Sequence, residues 1–157
     1  MMKSKLNWLT DTDGNKIAPT AVIYDNVILG KNNVIMDGVI IGGLPHLRDG
    51  VDEYMNKRTY IGDNNVIGEN TLIKASAHVG NKNIIMGLVN IGHDVVIGNE
   101  NEIGTGTIIC GHVKMGSKNK IKVGCNIRNR LMIGNRNLVG MGTTLVKSLS
   151  DDHEVIG

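Results

Sequence analysis

The sequence predicts an all-β fold in which the chain winds as a parallel β-helix. The first observation is an apolar residue at every sixth position over two long stretches, which is typical of that fold. The second is a longer repeat of eighteen residues, so three hexads make one coil with a triangular cross-section. The third is the absence of phenylalanine, because a narrow tube filled with isoleucine needs few large aromatic side chains.

The apolar hexad positions predict the interior of the tube. Many are β-branched, which suits short strands with side chains packed on a pleated surface. They predict about six to seven coils. The positions are Ile17, Ile23, Leu29, Ile35 and Ile41, followed by Ile61, Ile67, Ile73, Val79, Ile85, Ile91, Ile97, Ile103, Ile109, Met115, Ile121, Ile127, Ile133, Val139 and Leu145.

Two ladders of small or polar residues mark one corner of the coil. Because glycine and asparagine tolerate a left-handed backbone, we expect both ladders to lie in tight corner conformations. The stacked asparagines can also hydrogen-bond along the tube. The ladders are Gly62, Gly80, Gly98, Gly116 and Gly134, and Asn65, Asn83, Asn101, Asn119 and Asn137.

One long interruption, at residues 44–58, breaks the repeat. Before the interruption, Gly30 and Asn33 join the two ladders if fourteen extra residues are allowed at this point. The hexad row from which the insertion starts predicts that it emerges at the edge where His93 and His112 lie. Long loops on rigid scaffolds often shape binding sites, which favours a functional loop over a tolerated surface insertion.

The chain is predicted to form a single β-helix domain, residues 1–157, with an N-terminal lead-in at residues 1–16 and no C-terminal helical domain. It has no signal-peptide pattern and no apolar run long enough to cross a membrane. Cys110 and Cys125 occupy different hexad positions, so we expect free thiols in a reducing compartment. A cytoplasmic protein without membrane insertion is therefore predicted.

Basic residues are concentrated in the C-terminal coils. Residues 113–150 contain eight lysines and arginines and no acidic residue. Such a run is either a solvated face or a surface that attracts an anionic partner. Nucleic acid is disfavoured as that partner, because no aromatic residues interleave with the charges to stack on bases.

Several outward-facing positions are apolar, which usually marks an interface. We therefore expect a homo-oligomer, and a three-sided prism suits a homotrimer. The positions are Val34, Val66, Leu72, Ile84, Val96, Ile108, Met132 and Leu138.

The eighteen-residue period also predicts a polar cluster. Asp94 and His112 fall in one column of stacked residues, and His93 and Gly111 fall in the neighbouring column. A carboxylate beside a histidine can fix the imidazole tautomer and raise its basicity, which leaves the other nitrogen free as a general base. No serine or cysteine is an obvious nucleophile here, so direct transfer is favoured over a covalent intermediate.

The segment NIGHDVVIGNENEIGTGTIICGHVKMG resembles the catalytic stretch of the UDP-N-acetylglucosamine O-acyltransferases, which are hexapeptide-repeat acyltransferases. IAPTAVI, GVIIGG and IGDNNVIGE also resemble their early coils. This resemblance implies a left-handed coil and a trimer. It also implies that His93 is the general base, that Asp94 orients it, and that the Gly111 N–H stabilises the oxyanion. It implies further that Asn90 and His112 hold the acceptor, and Arg48 is also predicted to bind it.

Two departures from that family bear on the acyl donor. The family's Gln-Asp-Leu-Lys run in the long loop is replaced by residues 45–48, and its Val-His-Gln-Phe stretch is replaced by residues 127–130. The ending VKSLSDDHEVIG resembles the last coil of acetyl-CoA-dependent sugar acetyltransferases. Acetyl-CoA is therefore favoured over acyl carrier protein as the donor. The residues expected to bind it are Arg128, Arg130, Gly142 and Lys147.

The predicted activity is transfer of an acetyl or short acyl group from a thioester to a hydroxyl or amine of a sugar, in bacterial surface-glycan synthesis. The acceptor is expected to be nucleotide-linked, and no metal is required. One alternative is an acyl-carrier-protein-dependent enzyme of lipid A synthesis, and another is a non-catalytic scaffold. A zinc-dependent carbonic anhydrase of the same fold is disfavoured, because the histidine spacings do not match its ligand pattern.

Overall fold

The computed structural model describes residues 7–48 and 50–156, so the first six residues of the predicted lead-in lie outside it. The described residues form twenty-two short strands and one helix, α1 (Val51–Met55). In chain order the strands are β1 (Leu9–Thr10), β2 (Lys16–Ile17), β3 (Val22–Ile23), β4 (Val27–Leu29), β5 (Val34–Ile35), β6 (Ile40–Gly43), β7 (Thr59–Ile61), β8 (Val66–Ile67), β9 (Leu72–Lys74), β10 (His78–Val79), β11 (Ile84–Ile85), β12 (Asn90–Ile91), β13 (Val96–Ile97), β14 (Glu102–Ile103), β15 (Ile108–Ile109), β16 (Lys114–Met115), β17 (Lys120–Ile121), β18 (Asn126–Ile127), β19 (Met132–Ile133), β20 (Leu138–Val139), β21 (Thr144–Leu145) and β22 (Glu154–Val155).

Consecutive strands lie on successive faces of a three-sided tube. The first face has the order β2-β5-β8-β11-β14-β17-β20-β22, with β1 antiparallel to β2 at its start. The second face has the order β3-β6-β9-β12-β15-β18-β21, and the third has β4-β7-β10-β13-β16-β19. All pairs within the three faces, apart from β1 with β2, are parallel. The predicted parallel β-helix with three hexads per coil is confirmed.

The strand register measures the length of each coil. Ile91 pairs with Ile109, eighteen residues on, whereas Ile41 pairs with Ile73, so one coil carries fourteen extra residues. In the last coil Val139 pairs with Val155, which shortens that coil by two residues. A strict eighteen-residue repeat does not detect this shorter coil. The described chain therefore completes seven coils and begins an eighth with β22, slightly more than the sequence predicted.

The interior consists of the predicted aliphatic column and a polar ladder beside it. Ile85, Ile103 and Ile121 are almost completely buried, as the hexad pattern predicted. Asn83 is also buried, and its side-chain amide donates to Asn65 Oδ1 at 3.0 Å and to the Gly98 carbonyl at 2.9 Å. Each ladder asparagine therefore satisfies its own polar groups and ties one coil to the next, which removes the cost of burying it.

The expected reason for the glycine ladder is wrong in one respect. The left-handed corner positions are taken by residues such as Lys82 and Glu100, one place before the ladder asparagines. The ladder asparagines do not have a positive φ, and neither do the ladder glycines. They are glycine because the next coil is too close, since a Cβ on Gly80 would lie 2.6 Å from the Gly98 carbonyl oxygen.

The described chain also leaves an apolar surface uncovered. Of the predicted outward positions, Ile84, Val96, Ile108 and Met132 are exposed. Exposed apolar residues are typical of an interface, and the homotrimer stays a prediction. Within the described residues, no helix combines the length and the apolar character needed to cross a bilayer.

Candidate active site

The predicted polar cluster lies at the corner where the chain passes from the second face to the third, here called the second corner. In successive coils the tight position of this corner is held by Ser76, Asp94, His112 and Arg130, with φ values of 64°, 56°, 62° and 63°. The backbone N–H of His112 donates to the His93 carbonyl at 3.0 Å, which joins the two coils. The structure therefore stacks these residues as their spacing predicted.

His93 and Asp94 form a hydrogen-bonded pair. His93 Nδ1 lies 2.8 Å from Asp94 Oδ2, and about a quarter of the histidine side chain is exposed. Burial opposes the charge on Asp94, but hydrogen bonds from His93, Tyr54 and Ser76 outweigh it and lower the pKa of the carboxyl to about 2. Asp94 is therefore ionised at neutral pH. The short distance then requires a proton on Nδ1, because two acceptors would repel each other.

The other imidazole nitrogen faces the next coil. A Cβ on Gly111 would lie 3.0 Å from His93 Nε2 and 3.2 Å from His93 Cε1, so only glycine leaves the ring undisturbed. The Gly111 N–H makes no hydrogen bond within the described part of the chain. In the neutral imidazole the lone pair is therefore on Nε2, and an unused backbone donor lies next to it on the adjacent coil.

His112 packs against the pair from the coil above. Its ring is nearly perpendicular to that of His93, with centroids 4.9 Å apart, and its Nε2 lies 3.8 Å from Asp94 Oδ2. Burial lowers the pKa of His112 below its usual value, while Asp94 opposes this change and Arg130 adds to it. His112 is therefore neutral at pH 7 and can serve as a hydrogen-bond partner without adding charge.

The insertion is fastened to the second corner at both ends. It leaves the coil after β6, where the Lys74 ammonium donates to the Leu44 carbonyl at 3.0 Å. It returns at Thr59, whose hydroxyl accepts from the Ser76 N–H at 3.0 Å. The prediction that this loop emerges beside His93 and His112 is confirmed.

Tyr54, on α1 of the insertion, is a site residue that the sequence did not predict. Its side chain is 6% exposed, and its hydroxyl donates to Asp94 Oδ2 at 2.5 Å and lies 3.1 Å from His93 Nδ1. The Lys57 ammonium lies over its ring and 3.9 Å from Asp94 Oδ1. The insertion has no repeat from which to compute stacking. The one available sign was a single tyrosine among mostly polar residues.

The three residues predicted to bind the acceptor do not all contact the His93–Asp94 pair. Asn90 is exposed on β12, three residues before His93. Arg48 is exposed in the insertion, and no hydrogen bond or ion pair among the described residues joins it to the pair. His112 alone among the three contacts the His93 ring. Their binding roles stay predictions.

The residues predicted to bind the donor lie at two different edges. Arg128, Arg130 and Lys147 are exposed at the second corner, in the coils beyond His112. Gly142 lies at the corner between the first and second faces, with a φ of 71°, so a single chain does not bring it together with them. Arg136, in the same basic stretch, is paired with Asp151 and Asp152.

The same cluster also satisfies the distance requirement for a metal centre. His93, Asp94 and His112 each offer one ligand atom, and these atoms lie within 4.8 Å of one another. However, His93 Nδ1 and Asp94 Oδ2 are already joined by a hydrogen bond, and Tyr54 donates to the same oxygen. This use of the donor atoms favours an acid–base site.

Clefts next to the insertion do not include the pair. Two of them, with volumes of about 210 and 240 Å³, are lined by residues that include Asp25, Asn26 and Met55. His93 instead lies on an open edge of the prism and is partly exposed. An acceptor can therefore approach the imidazole of His93 from solvent.

Comparison with known proteins supports the resemblance found in the sequence. No family model matches the chain. The acyl-[acyl-carrier-protein]–UDP-N-acetylglucosamine O-acyltransferases of Rickettsia typhi and Rickettsia prowazekii are each 35% identical to it, over 50% of this chain and 36% of theirs. The chain thus spans about a third of the length of these curated relatives.

Solved structures give the same result over more of the chain. A UDP-N-acetylglucosamine acyltransferase from Bacteroides fragilis matches with a TM-score of 0.78 and 29% identity, over 82% of this chain and 52% of its own. PerB from Caulobacter crescentus, in complex with CoA and GDP-perosamine, matches with a TM-score of 0.59 and 25% identity, over 91% and 54%. The predicted resemblance is therefore confirmed: this chain is similar, in sequence and in fold, to the hexapeptide-repeat acyltransferases.

Proposed function

We propose that this protein transfers an acyl group from a thioester to a hydroxyl or amine of a sugar. The observation that carries the proposal is the pairing of His93 Nδ1 with Asp94, which leaves Nε2 free next to Gly111. A free imidazole nitrogen beside an unused backbone donor is the arrangement that acyl transfer requires. The named relatives and structural neighbours are acyltransferases, which supports the same class.

The proposed reaction proceeds in one transfer. His93 Nε2 takes the proton from the acceptor hydroxyl or amine as its oxygen or nitrogen attacks the thioester carbonyl carbon. The Gly111 N–H donates to the oxygen that becomes negative in the tetrahedral intermediate. The carbon–sulfur bond then breaks, and the imidazolium returns its proton to the leaving thiolate. Asp94 stays ionised throughout and stabilises the imidazolium.

The finer proposal is an acetyl or short acyl donor, with acetyl-CoA preferred, and a nucleotide-linked sugar acceptor in surface-glycan synthesis. Exposed Arg128, Arg130 and Lys147 beyond His112 give the donor side of the corner a positive charge, which suits the phosphates of CoA. The match to PerB, whose structure contains CoA and GDP-perosamine, supports this reading. Asn90, His112 and Arg48 are the proposed acceptor-binding residues.

A second candidate uses acyl carrier protein to acylate UDP-N-acetylglucosamine, as in lipid A synthesis. The activity of the Rickettsia relatives, acyl transfer from acyl carrier protein to UDP-N-acetylglucosamine, supports it. An acidic carrier protein would also be attracted to the basic corner, so charge does not separate the two donors. A non-catalytic scaffold gives no reason for the His93, Asp94 and Gly111 arrangement, and we place it third.

Product analysis by mass spectrometry tests the proposal. The protein is incubated with acetyl-CoA or with acyl-loaded carrier protein, and with UDP- and GDP-linked amino and hydroxy sugars. We expect an acetylated sugar from acetyl-CoA that is absent when His93→Gln replaces the wild type. If products form only with acyl-loaded carrier protein, the donor is acyl carrier protein and the proposal of acetyl-CoA is wrong. Failure of every donor, while the folded protein binds the acceptor, would favour the scaffold.

A further inference from the structure

The insertion brings a side chain to the His93–Asp94 pair that the coils themselves do not provide. Tyr54 is the buried residue of α1, and its hydroxyl donates to Asp94 Oδ2. Helix α1 belongs to the coil two below that of His93, about 10 Å along the tube at the usual strand spacing. Only a long side chain spans that distance, and the intervening second-corner residue is the small Ser76.

Asp94 has several competing partners. Besides His93, Tyr54 and Ser76, the Lys57 ammonium lies 3.9 Å from Oδ1, and His112 Nε2 lies 3.8 Å from Oδ2. A carboxylate with cations and imidazoles on several sides can rotate about its side-chain bonds to satisfy any of them. The hydroxyl of Tyr54 binds the same oxygen that faces His93, so it opposes a rotation that would carry this oxygen away from His93 and toward Lys57.

The proton positions are consistent with this arrangement. Because Asp94 is ionised, Nδ1 carries a proton and has no lone pair for Tyr54 to donate to. The hydroxyl must therefore donate to Oδ2, which is the shorter of its two contacts. Burial, followed by the hydrogen bond with Asp94, raises the pKa of the Tyr54 phenol, so the hydroxyl keeps the proton it donates.

We propose that Tyr54 is a positioning residue of the active site, whose hydroxyl holds Asp94 against His93 and so keeps the proton of the neutral imidazole on Nδ1, with the Nε2 lone pair aimed at the acceptor. The inference rests on the proposed acyl transfer for its kinetic consequence, but not for its structural one. The plainer alternative is that Tyr54 only packs the insertion against the scaffold. The phenyl ring alone would provide that packing, so only the positioning role requires the hydroxyl.

Tyr54→Phe removes the hydroxyl and keeps the ring, and Tyr60→Phe is the matched control. Tyr60 also contacts a histidine, His78, but neither ring hydrogen-bonds a carboxylate within the described chain. We expect kcat of Tyr54→Phe to fall about tenfold, since a hydrogen bond to a charged group is lost, with KM within about twofold of wild type. Tyr60→Phe should match the wild type in both constants.

Nitrogen-15 NMR of labelled histidines separates positioning from packing and does not depend on turnover. In the wild type, neutral His93 should carry its proton on Nδ1, with the signal assigned by its loss in His93→Gln. In Tyr54→Phe a second tautomer should become populated, whereas Tyr60→Phe should leave His93 unchanged. Melting temperatures check that all variants stay folded.

Each outcome decides the inference. A shift of the His93 tautomer together with a lower kcat supports positioning. A neutral His93 that carries its proton on Nε2 in the wild type, or an unchanged tautomer and kcat in Tyr54→Phe, overturns it. If the wild type transfers no acyl group to any sugar, the proposed function fails, and the tautomer measurement alone still decides the role of Tyr54.

Discussion

Two tyrosine–histidine pairs are found among the described residues, and they differ in their surroundings. Tyr54 and His93 meet with ring centroids 5.3 Å apart, and Tyr60 and His78 meet at 4.7 Å. The second pair consists of register partners on adjacent strands of the third face, with both side chains exposed. The first pair lies at a corner, where Tyr54 is buried and both side chains contact Asp94.

The comparison shows that ring contact alone does not make a catalytic histidine. Among the described residues, no carboxylate hydrogen-bonds His78 to fix which of its nitrogens carries the proton. His93 has one, and its free nitrogen faces a glycine in place of a side chain. The corner allows this because it turns the chain within four residues and so brings neighbouring backbone and side chains of two coils together.

The largest difference in activity is expected when the histidine of each pair is replaced by glutamine. His93→Gln should lower acyl transfer by at least about a hundredfold, the usual contribution of a general base. His78→Gln should stay within about twofold of wild type, because its exposed ring contacts only Tyr60 among aromatic partners in the described structure. Rates are measured with the best donor and acceptor, and circular dichroism checks folding. Comparable losses in both variants would contradict the distinction between the two pairs.

Filling the space beside His93 Nε2 with a methyl group should lower activity less than replacing His93. In Gly111→Ala the new methyl group would meet His93 at 3.0–3.2 Å, so the ring must shift by a few tenths of an ångström. We expect kcat to fall about tenfold, less than the hundredfold that a displacement of about 1 Å can cost. Asn129→Ala, at the same corner position one coil further, is the control. Gly111 does not have a positive φ, so alanine should not unfold the corner.

The smallest effect is expected on stability. It is measured by removing the charge of Asp94, the carboxylate that distinguishes the first pair from the second. The pKa of Asp94 is about 2 in the folded protein against a usual value of 3.8, so its charge stabilises the fold above pH 3.8. This contribution is lost as the pH falls through about 2. Wild type should exceed Asp94→Asn in unfolding free energy by about 1 kcal/mol near neutrality, after allowance for solvent screening.

Urea unfolding of both proteins at several pH values measures this difference. The gap between wild type and Asp94→Asn should narrow as the pH is lowered from 3.8 toward 2, while the other carboxylates cancel because both proteins contain them. Asparagine tolerates the left-handed backbone of this position, so the comparison does not add strain. A gap that stays constant over this pH range would rule out the proposed stabilisation of the charged form.

The repeat made much of the site predictable. Parallel strands in fixed register place residues eighteen apart on top of one another, so the neighbourhood of His93, Asp94, Gly111 and His112 could be computed by counting. The corner glycines show the limit of that counting. Their positions were predicted, but their reason was not, because the close approach of the next coil is a property of packed backbones.

The sequence by itself determined the tube, its triangular coil, the edge from which the insertion emerges and the stacked His-Asp and Gly-His pairs. All of these follow from a period, and a period translates directly into position along a parallel β-helix. The tertiary structure alone decided that Tyr54 reaches across two coils to Asp94 and that Lys57 competes for the same carboxylate. An insertion without a repeat has no register, so its side chains are placed only by packing against the scaffold.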